Sequence, residues 1–290
     1  MRRVALALAL LLAWSAPAWA KPPMWVAHGA GGATVVLFGS VHILPGQLDW
    51  EPEALKSALS EADELWFETP IDASNQLDGA RMVMTRGMLP QGETLSALLP
   101  DDKARAKLAT VAAGLHVPMP QLERLRPWLA ELTLAQAAYA REGADAADGV
   151  ERQLTDTAAP QAERRAFETV SQQIAMFADT SAADQVASLM DTLREVQDDP
   201  GVYRRLMQAW LAGDLKAIDR EGVQPLRKTS PSLFKILLTD RNAAWRAVML
   251  DRLKGKGRVV VIVGIGHLIG PGGLPQLLRD SGVRVDGPKP

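Results

Sequence analysis

The stretches that decide the fold are Thr34-Val35-Val36-Leu37-Phe38 near the start of the chain and Arg258-Val259-Val260-Val261-Ile262-Val263 near its end. Both are continuous runs of mostly apolar, largely β-branched residues, and a run without alternation is typical of a strand buried on both faces. A chain of this size rarely builds two sheets of that kind from so few strands. We therefore expect the two runs to belong to one sheet, and if they are parallel neighbours their carboxyl ends share an edge.

The other strand signals lie mostly towards the two ends of the chain. Met24 to His28 and Glu64 to Glu68 are short runs bounded by turn residues, and Val283 to Val285 is typical of an edge strand. Arg164 to Glu168 is a further candidate strand with few apolar residues. The pattern predicts a mixed α/β fold whose central sheet is built from N- and C-terminal strands.

The middle of the chain, from about residue 76 to residue 250, has the pattern of helices. Apolar residues recur at the spacing of one helix face in Val186 to Leu193, Tyr203 to Leu211 and Phe234 to Met249. Because the flanking strands must pair with one another, we interpret this region as a helical insertion within a single domain of residues 21–290.

The first twenty residues have the layout of a secretory signal peptide. Arg2 and Arg3 precede the apolar run Val4 to Trp14, and Ala18-Trp19-Ala20 supplies a small-x-small cleavage site. A membrane anchor is the alternative, but a bilayer span needs about 20 apolar residues. We expect cleavage after Ala20, a periplasmic or secreted protein, and no transmembrane segment in the mature chain.

Composition narrows the class of function. The 290 residues are 47% hydrophobic and 23% charged with a formal net charge of −2, so the chain lacks the basic field that nucleic-acid binding uses. The chain has no cysteine, which excludes disulfides, thiolate metal sites and a thiol nucleophile. We therefore expect no nucleic-acid partner and no thiol chemistry.

One short motif occurs twice, each time directly after one of the two apolar runs. Gly39-Ser40-Val41-His42 follows the first run and Gly264-Ile265-Gly266-His267 follows the second. Both histidines therefore lie just beyond the carboxyl end of a strand, at the edge where open α/β sheets bind ligands. Glycine permits a sharp turn and close approach of a ligand, so the candidate cofactor-binding positions are Gly39, Ser40, Gly264 and Gly266.

Glu68 ends its strand at what would be the same edge of the sheet. Two imidazoles and one carboxylate form a recurring ligand set for a catalytic divalent metal, which lowers the pKa of a bound water. We therefore interpret His42, His267 and Glu68 as candidate metal ligands. The alternatives are structural histidines bonded to loop carbonyls, and a glutamate that caps a helix or forms a surface ion pair.

Other candidates carry less information. Arg241 and Asn242 interrupt an apolar helix stripe, and since a buried arginine needs a partner, they either tie the helix to a loop or orient site residues. Ser40 lacks the glycines of a Gly-x-Ser-x-Gly elbow, although a Ser–His hydrolase stays open. Gly264-Ile265-Gly266 lacks the third glycine of a dinucleotide loop at the required spacing.

From about Met24 to Val285 the chain resembles the TraB/GumN family, whose segments occur in the same order as Leu37 to His42, Trp66 to Glu68, Leu238 to Asn242 and Val263 to Gly270. That family is similar to the Tiki-type metalloproteases, which clip secreted signalling proteins. Phe167-Glu168-Thr169 also resembles a family segment that usually reads Leu-Glu-Thr. The resemblance implies an α/β fold and a divalent-metal-dependent peptidase activity.

Carried over residue by residue, the resemblance places the paired histidines of the family at His42 and His267 and its strand-end acid at Glu68. Many relatives carry a second acid directly after that glutamate. Here Thr69 follows instead, which speaks against a paired-carboxylate mechanism.

We predict an exported metal-dependent hydrolase, specifically a peptidase that acts on a peptide or protein. Mn, Co or Zn would suit the ligands equally, and Glu168, Arg241 or Asn242 would orient ligands or stabilise charge. Two alternatives stay open. One is a non-catalytic protein that binds haem or another ligand through the same histidines, and the other is an envelope regulatory protein that keeps the fold without the chemistry.

Overall fold

A computed structural model of the chain describes residues 21–46, 48–157 and 160–289. The predicted signal peptide, residues 1–20, lies outside the described residues. The strands are β1 (Met24–His28), β2 (Thr34–Ser40), β3 (Leu44–Pro45), β4 (Glu64–Phe67), β5 (Ala144–Asp145), β6 (Glu163–Ala166), β7 (Arg258–Gly264) and β8 (Arg284–Asp286).

Helices fill most of the chain between the first and last strands. They are α1 (Glu53–Ser60), α2 (Ala73–Gly87), α3 (Leu95–Leu98), α4 (Asp102–Gly114), α5 (Met119–Leu122), α6 (Pro127–Arg141), α7 (Val150–Thr157), α8 (Val170–Ala178), α9 (Ala182–Asp198), α10 (Val202–Ala212), α11 (Leu215–Ile218), α12 (Gln224–Thr229), α13 (Pro231–Phe234), α14 (Asp240–Arg252) and α15 (Leu274–Asp280). Ala146–Asp148 and Ile265–His267 are 3₁₀ turns, and Asp219–Val223 and Lys235–Thr239 are π-helical.

The central sheet is mixed and has the strand order β6-β4-β7-β2-β1-β8. Strand β2 runs parallel to β7, with Thr34 opposite Arg258 and Ser40 opposite Gly264. Strand β4 runs parallel to both β7 and β6, whereas β1 is antiparallel to both of its neighbours. The predicted α/β fold is confirmed. The two apolar runs are parallel neighbours in one sheet, and four strands end at the same edge.

Burial explains why the two apolar runs lie in the middle of the sheet. Residues 259–263 of β7 are at most 1% exposed, so this strand is covered on both faces. On one face Phe38 of β2 packs against the rings of Trp50 and Trp210, with ring centroids 5.7 and 6.4 Å away. The large core cluster is built around this sheet.

The helical middle has a second apolar cluster of its own. Leu108 of α4, Leu134 of α6 and Leu189 of α9 are fully buried there. The rings of Tyr139 and Tyr203 stack 4.7 Å apart and link α6 to α10, which belongs to the sheet cluster. Within the described part of the chain, no helix has the length and apolar character needed to cross a bilayer.

Two short strand pairings shape the surroundings of the sheet edge. Strand β6 comes from the predominantly helical middle of the chain and forms an edge of the sheet beside β4. It overlaps the candidate strand Arg164 to Glu168, which has few apolar residues. Strands β3 and β5 form a separate two-residue ladder, Leu44 opposite Asp145 and Pro45 opposite Ala144. This ladder ties the loop that follows β2 to the segment that precedes α7.

Candidate functional site

The candidate site lies at the carboxyl edge shared by β2, β7, β4 and β6. His42 follows β2, and His267 ends the 3₁₀ turn after β7. Glu68 follows β4, and Glu168 lies two residues after β6, where its backbone N–H donates to the carbonyl oxygen of Glu68 at 2.9 Å. Parallel pairing therefore brings together four side chains that are far apart in the sequence.

His42 is the exposed member of the site. Its side chain is 61% exposed, and its Nδ1 lies 2.8 Å from Oε1 of Glu151 in α7. Ser40 donates its hydroxyl proton to the same carboxylate. The charge of Glu151 and its hydrogen bond raise the pKa of His42 well above its ordinary value. At neutral pH His42 is therefore an imidazolium that presents its Nε2 edge away from Glu151.

A close backbone approach fixes Glu151 beside His42. A Cβ atom on Gly149 would lie only 2.1 Å from the carbonyl oxygen of His42, so only glycine fits there. The next residue, Val150, donates its N–H to the carbonyl oxygen of Val41 at 3.1 Å. Together with the β3–β5 ladder, these contacts hold the first turn of α7 against the loop that contains Val41 and His42.

Glu68 is the buried carboxylate of the site. Its Oε1 accepts from the backbone N–H of Gly264 at 2.7 Å, and its Oε2 accepts from Arg241 at 2.6 Å and from Gln173 at 3.0 Å. Burial by itself would raise the pKa of Glu68, but the neighbouring histidines, the guanidinium and the amide hydrogen bond lower it to about 2. Glu68 is therefore ionised across the physiological range.

Arg241 is the central buried cation. Its Nε donates to Glu168 at 2.9 Å, and its Nη1 donates to the backbone oxygen of Leu237 at 3.1 Å. With its bond to Glu68, the guanidinium bridges two buried carboxylates, and it also lies 4.6 Å from the ring centroid of Trp245. Trp245 donates its Nε1–H to Glu168 at 2.9 Å, so the second carboxylate is held from both sides.

The tautomer of His267 follows from its neighbours. Asn242 uses its Nδ2 to donate to the carbonyl oxygens of His267 and Gly272, so its Oδ1 accepts from Nδ1–H of His267 at 2.6 Å. Arg241 can only donate, so Nε2 of His267 accepts from its Nη1 at 3.0 Å. Burial, helped by the charge of Arg241, lowers the pKa of His267 to about 3, although Glu68 opposes the shift.

The two motif histidines and Glu68 converge in front of Gly264. A Cβ atom on this glycine would lie 3.2 Å from Oε1 of Glu68 and 3.6 Å from Nε2 of His42. It would also lie 3.8 Å from Cδ2 of His267. Nε2 of His267 is itself 3.7 Å from Oε1 of Glu68. Both imidazoles have Nδ1 bonded to an oxygen acceptor, which leaves Nε2 as the atom that faces the centre.

The other candidate residues separate into two groups. Gly264 lies at the point of convergence, and Asn242, Arg241 and Glu168 surround His267 and Glu68. Gly39 instead turns its Cα towards Ile265, and its carbonyl oxygen accepts from Trp210, so its contacts are with the core. The Cα of Gly266 faces Leu238 and Val223, on the apolar side of the site.

Three contributors were missed by sequence reasoning. Glu151 lies in a segment, residues 143–157, that has no clear periodicity, and its one signal was the preceding Gly149. Trp245 is a buried core residue whose indole also bonds Glu168 and packs 4.4 Å from the ring of His267. Gln173 lies in α8 and donates its side-chain amide to Glu68.

The chain is an α/β protein with a candidate ligand site at the carboxyl edge of its mixed sheet, where a buried arginine–carboxylate network lies beside two histidines. The profile of the TraB/PrgY/gumN family matches residues 23–287, and the chain belongs to this family. It is 28% identical over 246 residues to the uncharacterized protein YbaP of Escherichia coli K12, covering 84% of this chain and 87% of the relative. YbaP of Shigella flexneri is similar to the same extent. No solved structure matches the chain.

Proposed function

We propose that the chain is a divalent-metal-dependent hydrolase, specifically a peptidase of the Tiki-like kind, with its centre between His42, Glu68 and His267. The observation that carries the proposal is the anchoring of both imidazoles through Nδ1, by Glu151 and by Asn242, which directs both Nε2 atoms inward. Histidine ligands of metals are usually held in this way by an oxygen acceptor on the other nitrogen.

The charges around the centre support a divalent cation. Glu68, Glu151 and Glu168 are carboxylates, and Arg241 is the guanidinium between two of them. When both imidazoles are neutral, these four groups leave two negative charges, which a divalent ion would neutralise. The donor atoms, imidazole nitrogen and carboxylate oxygen, suit Mn, Co or Zn.

The fit has one condition. Among the described residues, no three histidine or acidic side chains are already arranged as a metal site, and Nε2 of His267 is bonded to Arg241. Glu68 can therefore offer its carboxylate directly, whereas each histidine must first free its Nε2 atom. His42 must lose the Nε2 proton of its imidazolium form, and His267 must exchange the hydrogen bond from Arg241 for the ion. Metal binding and the bond from Arg241 are alternatives at this one atom.

The side chains around the centre have separate roles in this proposal. A bound divalent ion supplies a water of lowered pKa as the nucleophile. Glu151 and Asn242 hold the histidine tautomers, and Glu168 with Trp245 orients Arg241. Arg241 carries the positive charge that would stabilise the negative oxygen formed when a carbonyl is attacked.

The test is metal retention compared between matched histidine variants. Purified protein is incubated in turn with Mn²⁺, Co²⁺ and Zn²⁺, passed through a desalting column, and its metal content is measured by mass spectrometry. We expect about one ion per chain in the wild type and in His28→Ala, whose ring bonds Asp286 on the far edge of the sheet. We expect the ion to be lost in His42→Ala and in His267→Ala.

The outcomes separate the alternatives. A wild type that retains none of the three ions overturns the proposal, and so does equal retention in all three histidine variants. A haemin titration that produces a Soret shift, lost in His42→Ala, would favour haem binding instead. Export is part of the proposal, and cell fractionation with an antibody to the protein tests it.

A further inference from the structure

Two cavities meet at the candidate centre and share His42, Glu68 and Gln173 as lining residues. The first has a volume of about 620 Å³ and extends towards Thr69, Gln76 and Arg152. The second has a volume of about 430 Å³ and extends past Gly264 towards the segment between α10 and α14. The centre therefore lies between two open cavities, as expected when a ligand is longer than the group that reacts.

The second cavity is lined largely by apolar side chains. Away from the centre its walls are mostly aliphatic or aromatic, and the largest side chains are those of Phe177, Leu206, Ile218, Leu226, Leu237 and Leu238. Several of these, including Leu206, Leu226, Leu237 and Leu238, are only half-buried. Concave apolar surface that stays partly open beside convergent polar groups is typical of ligand sites.

The backbone of this wall is unusual in a second respect. Both π-helical segments, Asp219–Val223 and Lys235–Thr239, contribute lining residues to it. Single π turns inside helices occur frequently at functional sites. The first segment also contains Gly222, where a Cβ atom would lie 3.3 Å from Leu206, so the helix and its neighbour approach closely at the cavity wall.

The first cavity has a different character. Its walls include the polar side chains of Thr69, Gln76, Gln173 and Glu151, and Arg152 lies exposed at its margin. A substrate that occupied both cavities would therefore meet largely apolar walls on one side of the centre. On the other side it would meet walls that combine polar and charged side chains with apolar ones such as Phe67 and Ile71.

We propose that the apolar cavity is a specificity subsite for a large aliphatic or aromatic side chain of an extended peptide, whose neighbouring polar residues lie in the other cavity. This inference rests on the proposed function for the reaction itself, but the recognition can be tested without it. A volume of about 430 Å³ lies within the range of small-molecule sites, so a leucine or phenylalanine side chain has room to enter.

The first experiment measures binding without turnover. The probes are fluorescein-labelled octapeptides of alanine, serine and glycine that differ only in one central residue, which is leucine, phenylalanine, serine or aspartate. Fluorescence polarisation is recorded with the His42→Ala protein, which removes a proposed ligand of the metal. We expect the leucine and phenylalanine peptides to bind about tenfold more tightly than the serine peptide.

Variants of the wall locate the effect. Leu226→Trp fills the cavity and should reduce the leucine-to-serine ratio to near one, and Leu237→Ser should reduce it by making the wall polar. Leu132→Trp is the matched control, because Leu132 is a 40% exposed residue of α6 that does not line the cavity. Circular dichroism melts show which variants fold, and the two wall variants perturb the chain in different ways.

The same peptides are then incubated with wild-type protein and each metal. Hydrolysis of all peptides at equal rates, with equal binding, would overturn the subsite and leave the hydrolase standing. Side-chain discrimination in binding without any hydrolysis would support the subsite and count against the hydrolase. A leucine preference that survives both Leu226→Trp and Leu237→Ser would also overturn the subsite, since the recognition would then lie elsewhere.

Discussion

The two Gly-x-x-His motifs share their glycine and their histidine but occupy different environments. His267 is 4% exposed, and its ring is fixed by Asn242, Arg241 and Trp245. The side chain of His42 is 61% exposed, and one carboxylate, that of Glu151, bonds its ring. One histidine is therefore kept neutral by burial, and the other is kept protonated by an acid.

The comparison shows that the motif sets the position of each imidazole, whereas the neighbouring side chains set its protonation state. Both motifs place an imidazole at the carboxyl end of a parallel strand, which needs only a buried run and a glycine turn. Whether that imidazole is a neutral donor or a cation depends on side chains from α7 and α14. The His267 half of the site is thus rigid and buried, and the His42 half is open.

The largest expected loss of stability comes from removing Arg241, which lies in the buried His267 half of the site. Arg241→Ala leaves Glu68 and Glu168 buried without their shared cation, and removing one partner of a buried ion pair costs about 3–5 kcal/mol. Arg205→Ala is the control, because Arg205 bonds two carboxylates at an exposed position, where solvent screens the pairs and we expect a much smaller loss. Urea denaturation measures both free energies of unfolding. Equal losses in the two variants would show that the His267 half is not the more tightly held.

The second prediction compares the loss of stability when each of the two motif histidines is replaced by alanine. His267→Ala removes a buried ring and leaves Asn242 and Arg241 each without a hydrogen-bond partner, so we expect a loss of about 2–4 kcal/mol. His42→Ala removes an exposed ring whose ion pair with Glu151 is screened by solvent, so we expect a smaller loss than for His267→Ala. Denaturation curves of the two proteins provide the comparison, with His28→Ala as the exposed reference. A loss for His42→Ala as large as that for His267→Ala would contradict the contrast.

The third effect is the pH dependence of stability, which has opposite signs for the two rings. The folded-state pKa of His267 is lowered from 6.5 to about 3, so below pH 6.5 the unfolded chain takes up a proton that the folded chain does not. Stability from this group is therefore lost as pH falls from 6.5 towards 3, by at most about 1.4 kcal/mol per pH unit. The folded-state pKa of His42 is raised, so its contribution is full below pH 6.5 and is lost as pH rises through the raised pKa.

Unfolding free energies of the wild type and of His267→Gln, measured between pH 4 and pH 9, check these signs. We expect the variant to be less stable overall but to have a shallower slope between pH 4 and pH 6.5. His42→Gln should alter the slope only above pH 6.5. A His267→Gln curve parallel to that of the wild type below pH 6.5 would show that His267 is not kept neutral by burial.

The central sheet could be predicted from the sequence because a strand buried on both faces leaves a strong hydrophobic pattern. The runs in β2 and β7 are apolar on both faces, and that property alone requires a covered position in the sheet. Strand β6 has the sequence Glu-Arg-Arg-Ala and a largely exposed burial pattern, so its strand character comes from backbone pairing with β4. An edge strand of this kind leaves little hydrophobic pattern to recognise.

The site was accessible to sequence reasoning only where residues follow a strand. His42, His267 and Glu68 were identified because each follows a predicted strand, whereas Glu151 lies on a short helix with no such marker. The partnership of Arg241 with two carboxylates depends on the crossing of α14 over the sheet edge, which no local pattern encodes. The roles assigned to all these residues stay predictions.

The smallest expected effect tests which group raises the pKa of His42 in the open half of the site. Glu151→Gln keeps a hydrogen-bond acceptor beside Nδ1 of His42 but removes the negative charge, which is the largest cause of the raised pKa. We expect the pKa of His42 to fall by about one to three pH units towards its ordinary value. Proton NMR titration of the imidazole signals measures this, with the His42 signal assigned by its absence in His42→Ala.

Glu53→Gln is the matched control, because Glu53 is an exposed acid of α1 that pairs with Lys56. If Glu151→Gln and Glu53→Gln leave the His42 titration equally unchanged, the acid does not set the charge of this histidine, and the electrostatic difference between the two motifs has another origin.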